Sequence, residues 1–147
     1  MFPELKYPSF NIRLKQGGKD KIQVFDAIRR KWLLLTPEEW VRQHVVNFFI
    51  TQYNYPASLI SLEKEIELNG IKKRYDVVVF TKELKPFIIV ECKAPGVDLS
   101  QDVLEQAARY NLKLNVEYVF ITNGLKDQMY KGGSVVSKLP AYHEFPG

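Results

Sequence analysis

The sequence predicts a three-layer α/β fold, with helices on both sides of a mixed sheet, in the order helix–strand–strand–strand–helix–strand. Three observations predict it. Apolar runs over 58–68, 73–80 and 86–93 read as consecutive strands, and Asn69-Gly70 between the first two is the strongest short hairpin signal. Helical periodicity brackets them, over about 36–53 and 98–114. The second helix separates strand 86–93 from a last apolar run, Val116–Thr122, and a helical crossover lets those two strands lie parallel.

At the N-terminus, 10–14 and 21–25 alternate apolar and polar residues around Gln16-Gly17-Gly18-Lys19-Asp20, a hairpin expected to cover part of the core. Thr36-Pro37-Glu38-Glu39 is a helix start, with Thr36 as cap, Pro37 at the first position and Glu39 completing a capping box. Val41, Val45, Phe48 and Phe49 form the predicted buried stripe, and Asn54-Tyr55-Pro56 ends the helix. Strand 58–68 alternates through Ile60, Leu62, Ile66 and Leu68. The return strand carries Asp76, and Phe87-Ile88-Ile89-Val90 is apolar on both faces, as a central strand should be. Ala94-Pro95-Gly96 breaks that strand. Asp98 with Gln101 offers a cap for the second helix, whose predicted buried side is Val103, Ala107, Tyr110 and Leu114. Asn123-Gly124 stops the fourth strand. From Met129 onward the chain is punctuated by Gly, Ser and Pro, and no element is readable. The organisation expected is one domain: a hairpin extension over 1–35, a core over about 36–125 and an irregular tail over 126–147.

With 147 residues, 46% hydrophobic and 26% charged, the chain has the composition of a soluble globular domain with one good core. A net charge of +4 and a pI near 9.1 permit a polyanionic partner. No apolar run is long enough to cross a bilayer, and the N-terminus lacks the basic start and apolar stretch of a secretory signal, so no membrane partner is expected. The single Cys92 has no internal disulfide partner and no zinc-ligand spacing exists. A reducing, cytoplasmic setting is expected.

Asp76 and Glu91 each place an acid in or at the end of a β-branched apolar run, where an ionised carboxylate is costly. Glu91 and Lys93 are two apart and so share a strand face. Asp, Glu and Lys converging on one spot form a cage for a hard divalent cation, Mg²⁺ with Mn²⁺ as substitute, beside a positive charge. The blander reading is a set of solvated or paired strand-end charges. Cys92 points to the opposite face as a core residue, while its backbone carbonyl is a candidate third metal ligand. Lys93 is placed to orient or deprotonate an attacking water, or to stabilise charge developing on phosphorus; a salt bridge to Glu91 is the alternative. At 100° per residue Glu38 lies near the apolar stripe and Glu39 nearly opposite, so Glu38 is the candidate for reaching the site and Glu39 reads as a capping residue. Gln106 and Tyr110 lie four apart on one helix face, with Gln106 able to reach Lys93 or a phosphate. Glu63, Glu65 and Glu67 share a strand face and read as a solvated edge. Lys72, Lys73, Arg74 and several later lysines supply charge for phosphate contacts. Arg13, Arg29, Arg30 and Lys31, with Trp32 beside them, make a further basic cluster that sequence alone does not place on one surface.

These residues resemble the PD-(D/E)xK nuclease superfamily, with its restriction-endonuclease-like core: Asp76, fourteen intervening residues, then Glu91-Cys92-Lys93, with Tyr75 where the name has proline. Gln106-Ala107-Ala108-Arg109-Tyr110 looks like the Gln-x-x-x-Tyr motif of its RecB-like and type I restriction branches. More closely, Thr36–Gln43, Val90–Pro95, Gln106–Asn111 and Thr122-Asn123-Gly124 resemble the N-terminal domain of type I restriction enzyme R subunits, over roughly 22–125. The resemblance implies Mg²⁺-dependent DNA cleavage, with Asp76, Glu91 and the Cys92 carbonyl on the metal, Lys93 on the water, and Glu38 and Gln106 in support. DNA is the implied partner, with motor or modification subunits of a restriction complex; the oligomeric state is not specified. A full R subunit would continue into an ATP-driven translocase, and no Gly-x-x-x-x-Gly-Lys-Ser/Thr loop is present, so an excised domain or a small stand-alone relative is expected. The competing reading is a non-catalytic DNA-binding or assembly module on the same fold.

Overall fold

The computed structural model describes residues 2–147. In chain order the elements are β1 (Leu14–Gln16), β2 (Ile22–Asp26), β3 (Lys31–Leu34), α1 (Pro37–Gln52), β4 (Ile60–Leu68), β5 (Ile71–Phe80), β6 (Pro86–Cys92), α2 (Gln101–Leu112), β7 (Tyr118–Thr122), β8 (Asp127–Lys131) and β9 (Ser134–Val136). They build a three-stranded sheet, β1-β2-β3, and a six-stranded sheet, β4-β5-β6-β7-β8-β9. β6 and β7 are parallel and every other pairing is antiparallel.

Local chemistry sets these elements. Asn69 (φ 52°) and Gly70 (φ 79°) both take the left-handed conformation a two-residue hairpin turn needs, and they bring Leu68 opposite Ile71. Thr36 caps α1 by accepting from the Glu39 N–H at 3.0 Å, and Pro37 fills the first turn where its missing N–H costs nothing.

The six-stranded sheet is the middle of three layers. One face packs Val77, Val79, Ile88, Val90 and Phe120 against Val41, Val45 and Phe49 of α1. The other packs Val78, Ile89, Val119 and Ile121 against Leu104 and Ala108 of α2. Burying each such Val, Ile or Leu contributes about 1.5–3 kcal/mol relative to leaving it in water. The mixed three-layer α/β fold read from the sequence is the fold of the chain.

Three details differ. The N-terminal hairpin gains a third strand, β3, because Asp26 accepts from the Ile28 and Arg29 N–H groups and folds 26–30 into a turn. α2 is capped by Ser100, not Asp98, and buries Leu104, Ala108 and Asn111, whereas Val103 and Tyr110 stay 40% exposed. The stretch 126–147, unreadable in the sequence, adds β8 and β9 to the sheet edge.

His44, on α1, packs against Trp40 (ring centroids 4.5 Å) and Phe10 (5.1 Å), and its Nδ1 donates to the Trp40 carbonyl at 2.8 Å. Burial pushes the imidazole below its ordinary 6.5, outweighing that hydrogen bond. With the folded pKa depressed, the unfolded chain takes up the proton first. Stability is therefore complete above about pH 6.5 and falls as the pH drops below it. Melting curves from pH 7.5 to 5.5 should show Tm falling on the acid side in the wild type, with a shallower fall in His44→Gln.

Candidate active site

The position of Asp76 depends on a break in strand alternation. Along β4 and β5 the register runs evenly from Ile60–Val79 to Leu68–Ile71, except that the Glu63–Asp76 rung is missing. Glu63 there takes φ 48°, a left-handed conformation unusual for a glutamate. Across the break, Tyr75 and Val78 lie in the same core layer although three apart, so the two-residue period slips at Asp76. The slip directs Asp76 to the α1 side.

There Asp76 Oδ1 accepts from Arg42 Nη2 at 2.8 Å and Oδ2 accepts from the Cys92 N–H at 2.8 Å. The β5–β6 ladder ends at Val77–Val90, so the Asp76 carboxylate takes the strand donor that a longer ladder would have used. N–H and C=O of one strand residue project to the same side, so the Cys92 carbonyl faces the same opening. The Cys92 side chain is buried on the α1 side, and burial holds its thiol well above the ordinary value, as expected for a core residue.

Arg42 is the hub of a buried polar network. It donates to Glu39 at 2.6 Å and to Asp76, and lies 3.4 Å from Glu63. Burial works against its charge, but the bond to Asp76 and the charges of Glu39, Asp76 and Glu63 outweigh this and raise its pKa. Arg29 extends the network, donating to Asp26, Glu39 and Glu63, and Gln43 bridges Asp26 and Glu39.

Glu38, the residue expected to reach inward, is exposed; Glu39, read as a cap, is 5% exposed and sits in the network. The reason is that α1 buries two faces. Val41, Val45 and Phe49 meet the large sheet, while Glu39, Arg42, Gln43 and Val46 meet the Asp26–Arg29 turn and Asp76. The spacing of this second set, three, one and three, is itself a helical stripe, hidden from a search for apolar residues alone.

Glu91 leaves β6 on the α2 side. Its Oε1 accepts from Lys73 Nζ and, at 3.4 Å, from Asn111 Nδ2. Glu91, Lys93 and Gln106 line one open cleft of about 300 Å³ together with Lys73, Val103 and Tyr110. Lys73 Nζ lies 4.8 Å from the Tyr110 ring. The structure thus joins Glu91, Lys93 and Gln106 directly. Asp76 is on the other side of the β6 end, with Cys92 between the two carboxylates. Asn111 and Arg42 enter the site as residues to which the sequence reading gives no role, whereas Lys73 is read there as a phosphate contact, Glu39 as a cap and Arg29 as part of a basic cluster.

Among the described residues no group of three or more His, Cys, Asp or Glu side chains has the geometry to hold a metal unaided. Asp76, Glu91 and the Cys92 carbonyl each offer oxygen, the donor type that a hard cation bringing its own waters takes. Each Asp76 oxygen makes one hydrogen bond and keeps a further lone pair, and Glu91 Oε2 makes none among the described residues. Lys73, 34% exposed, is the ion-pair partner of Glu91 among the described residues.

A family model describing the N-terminus of type I restriction enzyme R proteins matches residues 37–146. The chain belongs to that family. The R-protein match takes in Glu39, Arg42, Asp76, Glu91, Lys93 and Gln106 and begins after the β1–β3 sheet. Among solved structures, a chain assigned as a fragment of an HsdR subunit of a type I restriction enzyme from Vibrio vulnificus YJ016 superposes with a TM-score of 0.52 at 20% identity. The match covers 75% of this chain and 24% of that one, so this chain spans about a quarter of its length; the likeness shows a shared fold. A chain from Anabaena variabilis ATCC 29413, assigned to DUF820 as a nuclease, aligns at 13% identity over 80% of this chain and 75% of that one, with a TM-score of 0.46. No curated protein matches the chain. No helix among the described residues is long and apolar enough to cross a membrane.

Proposed function

We propose that this R-protein N-terminal domain is a divalent-metal-dependent DNA endonuclease domain acting in a cytoplasmic restriction complex. One observation carries the reading: the β5–β6 ladder ends at Val77–Val90, beyond it the Asp76 carboxylate takes the Cys92 N–H, and Glu91, on the other side of the β6 end, lines a cleft with Lys73 and Lys93.

Asp76, Glu91 and the Cys92 carbonyl would hold Mg²⁺ or Mn²⁺. When bound, that ion supplies Lewis-acid polarisation of a phosphate oxygen and a more acidic water. The remaining work falls to the chain. Lys93 and Lys73 outnumber Glu91 in the cleft and bind the scissile phosphate; as the P–O bond to the incoming water forms and the P–O bond to the leaving sugar oxygen breaks, Lys93 donates to the phosphoryl oxygen on which charge grows, while solvent takes the water's proton and protonates the leaving oxygen. Gln106 and Tyr110 line the wall opposite the strand and position the phosphate. Arg42 and the Cys92 N–H fix the Asp76 carboxylate, and Asn111 steadies Glu91.

Supercoiled plasmid incubated with the domain should be nicked or linearised in Mg²⁺ or Mn²⁺, and left intact with EDTA. If DNA is bound but survives with either metal, the chain is a DNA-binding or assembly module on this fold.

A further inference from the structure

The β1–β3 sheet lies outside the cleft and outside the family match; on one face of it Arg13 and Lys15 meet Trp32 and Phe25, while Arg29 of the same basic stretch turns instead into the Asp26–Glu39 network. In the β1–β3 sheet, Val24 and Asp26 are fully buried on the inner face. The register sets Phe25 opposite Trp32, Gln23 opposite Leu34 and Lys15 opposite Gln23, so the outer face carries Lys15, Gln23, Phe25, Trp32 and Leu34. Leu34 is 51% exposed. Arg13 joins them, its carbonyl accepting from the Phe25 N–H at 3.0 Å.

On this face the two rings stand 5.4 Å apart at 66°. The Arg13 guanidinium carbon lies 4.4 Å from the Phe25 centroid and 5.5 Å from that of Trp32, and Lys15 Nζ lies 4.3 Å from Trp32. Among the described residues neither cation has a carboxylate partner.

Residues 13–32 hold seven of the 21 lysines and arginines but two of the 17 acids; the rest of the chain has fourteen against seventeen less two, or fifteen. The net positive charge of the whole chain therefore resides in this small sheet. One of its two acids, Asp26, is buried and held by Arg29 and Gln43.

Long cationic side chains resting on aromatic rings, with no anion to meet, suit a ligand that brings both phosphates and π-faces. Unpaired nucleotides do so; a duplex hides its base faces, and an acidic peptide offers no rings. We propose that the outer face of β1–β3 is a binding platform for single-stranded DNA, on which bases stack on Trp32 and Phe25 while Arg13 and Lys15 swing onto phosphates. This rests on the DNA reading above for the identity of the polyanion, and not on cleavage. The platform is tied to the cleavage site through Arg29, which reaches Glu39 and Glu63 beside Arg42.

The test is binding of fluorescein-labelled dT20 to the full chain by anisotropy, alongside tryptophan quenching with unlabelled dT20. The wild type should bind dT20 more tightly than a 20-bp duplex, with its tryptophan emission quenched. Trp32→Ala should weaken dT20 binding by about 5- to 150-fold, the usual range for losing one stacked base. Trp32→Phe should keep most of the affinity and lose the quenching. Arg13→Gln should lower the salt slope of dT20 binding by about 0.7. Should Trp32→Ala fail to fold, quenching in a Trp32→Phe variant with wild-type circular dichroism decides. Persistent quenching in Trp32→Phe, or wild-type dT20 affinity in folded Trp32→Ala, overturns the proposal. Binding and quenching without any cleavage sink the nuclease reading alone, and cleavage without Trp32-dependent binding sinks the platform alone.

Discussion

Asp76→Ala should lower the rate of Mg²⁺-dependent plasmid cleavage by at least about 10³-fold, because on the proposed mechanism it takes away a metal ligand worth several kcal/mol of transition-state stabilisation. Lys93→Ala should cost about 10²- to 10³-fold, the scale for one charge-stabilising donor. Lys93 is exposed and makes no ion pair among the described residues, so its variant should melt like the wild type. Separating the two effects requires rates as a function of Mg²⁺ concentration. Asp76→Ala should not be rescued at any concentration, whereas Lys93→Ala should saturate at the wild-type metal concentration with a depressed plateau. Cleavage at full rate in either variant would place the activity elsewhere.

Arg42→Met should have the largest effect on stability. The substitution leaves Asp76 with one donor, the Cys92 N–H, and removes the 2.6 Å bond to Glu39. Breaking a buried ion pair from one side costs about 3–5 kcal/mol because the partner charge stays buried. In a chain of this size that is a fall in Tm of about 10 °C. Cleavage should fall with it even at temperatures where the variant is folded, since the Cys92 N–H alone then orients the Asp76 carboxylate. Arg42→Lys should recover part of the stability but little of the activity, because one ammonium cannot span Glu39 and Asp76 as a guanidinium fork does. In a double-mutant cycle with Asp76→Asn the two losses should be clearly non-additive. Additive losses would mean that Arg42 and Asp76 act independently.

The layers of the fold were legible because each core element has a strong local period. Asn69-Gly70 fixed one hairpin, Thr36-Pro37 fixed a helix start, and Phe87–Val90 announced a central strand. The tail was not legible, since Asp127–Lys131 and Ser134–Val136 are short strands, only the second of them at the sheet edge, whose pairing is decided by the sheet they join. The rotation of α2 was misjudged by one residue: Leu104, Ala108 and Asn111 repeat as well as Val103, Ala107 and Tyr110. Only the tertiary structure selects between the two sets, leaving Tyr110 open to the cleft. Within the site, Glu91, Lys93 and Gln106 were legible from spacing. Arg42 and Glu39 were not, because a buried charge is recognisable only from its partner: Glu39 is held by Arg29 from beside the other sheet, and Arg42 by Asp76 from a strand far along the chain. The same partnership reversed the reading of Glu38 and Glu39. Neither did any pattern foretell the slip at Asp76, which shows only in the missing rung opposite Glu63.

The proposed cleavage requires one cation shared between the two carboxylates that flank Cys92. Crystals grown with Mn²⁺, with data collected at the manganese absorption edge, test this directly. The predicted result is a single anomalous peak bounded by Asp76, Glu91 and the Cys92 carbonyl, with the Lys73 ammonium drawn away from Glu91. A peak elsewhere, or none, with Asp76 still held by Arg42 and Glu91 still held by Lys73, would contradict it.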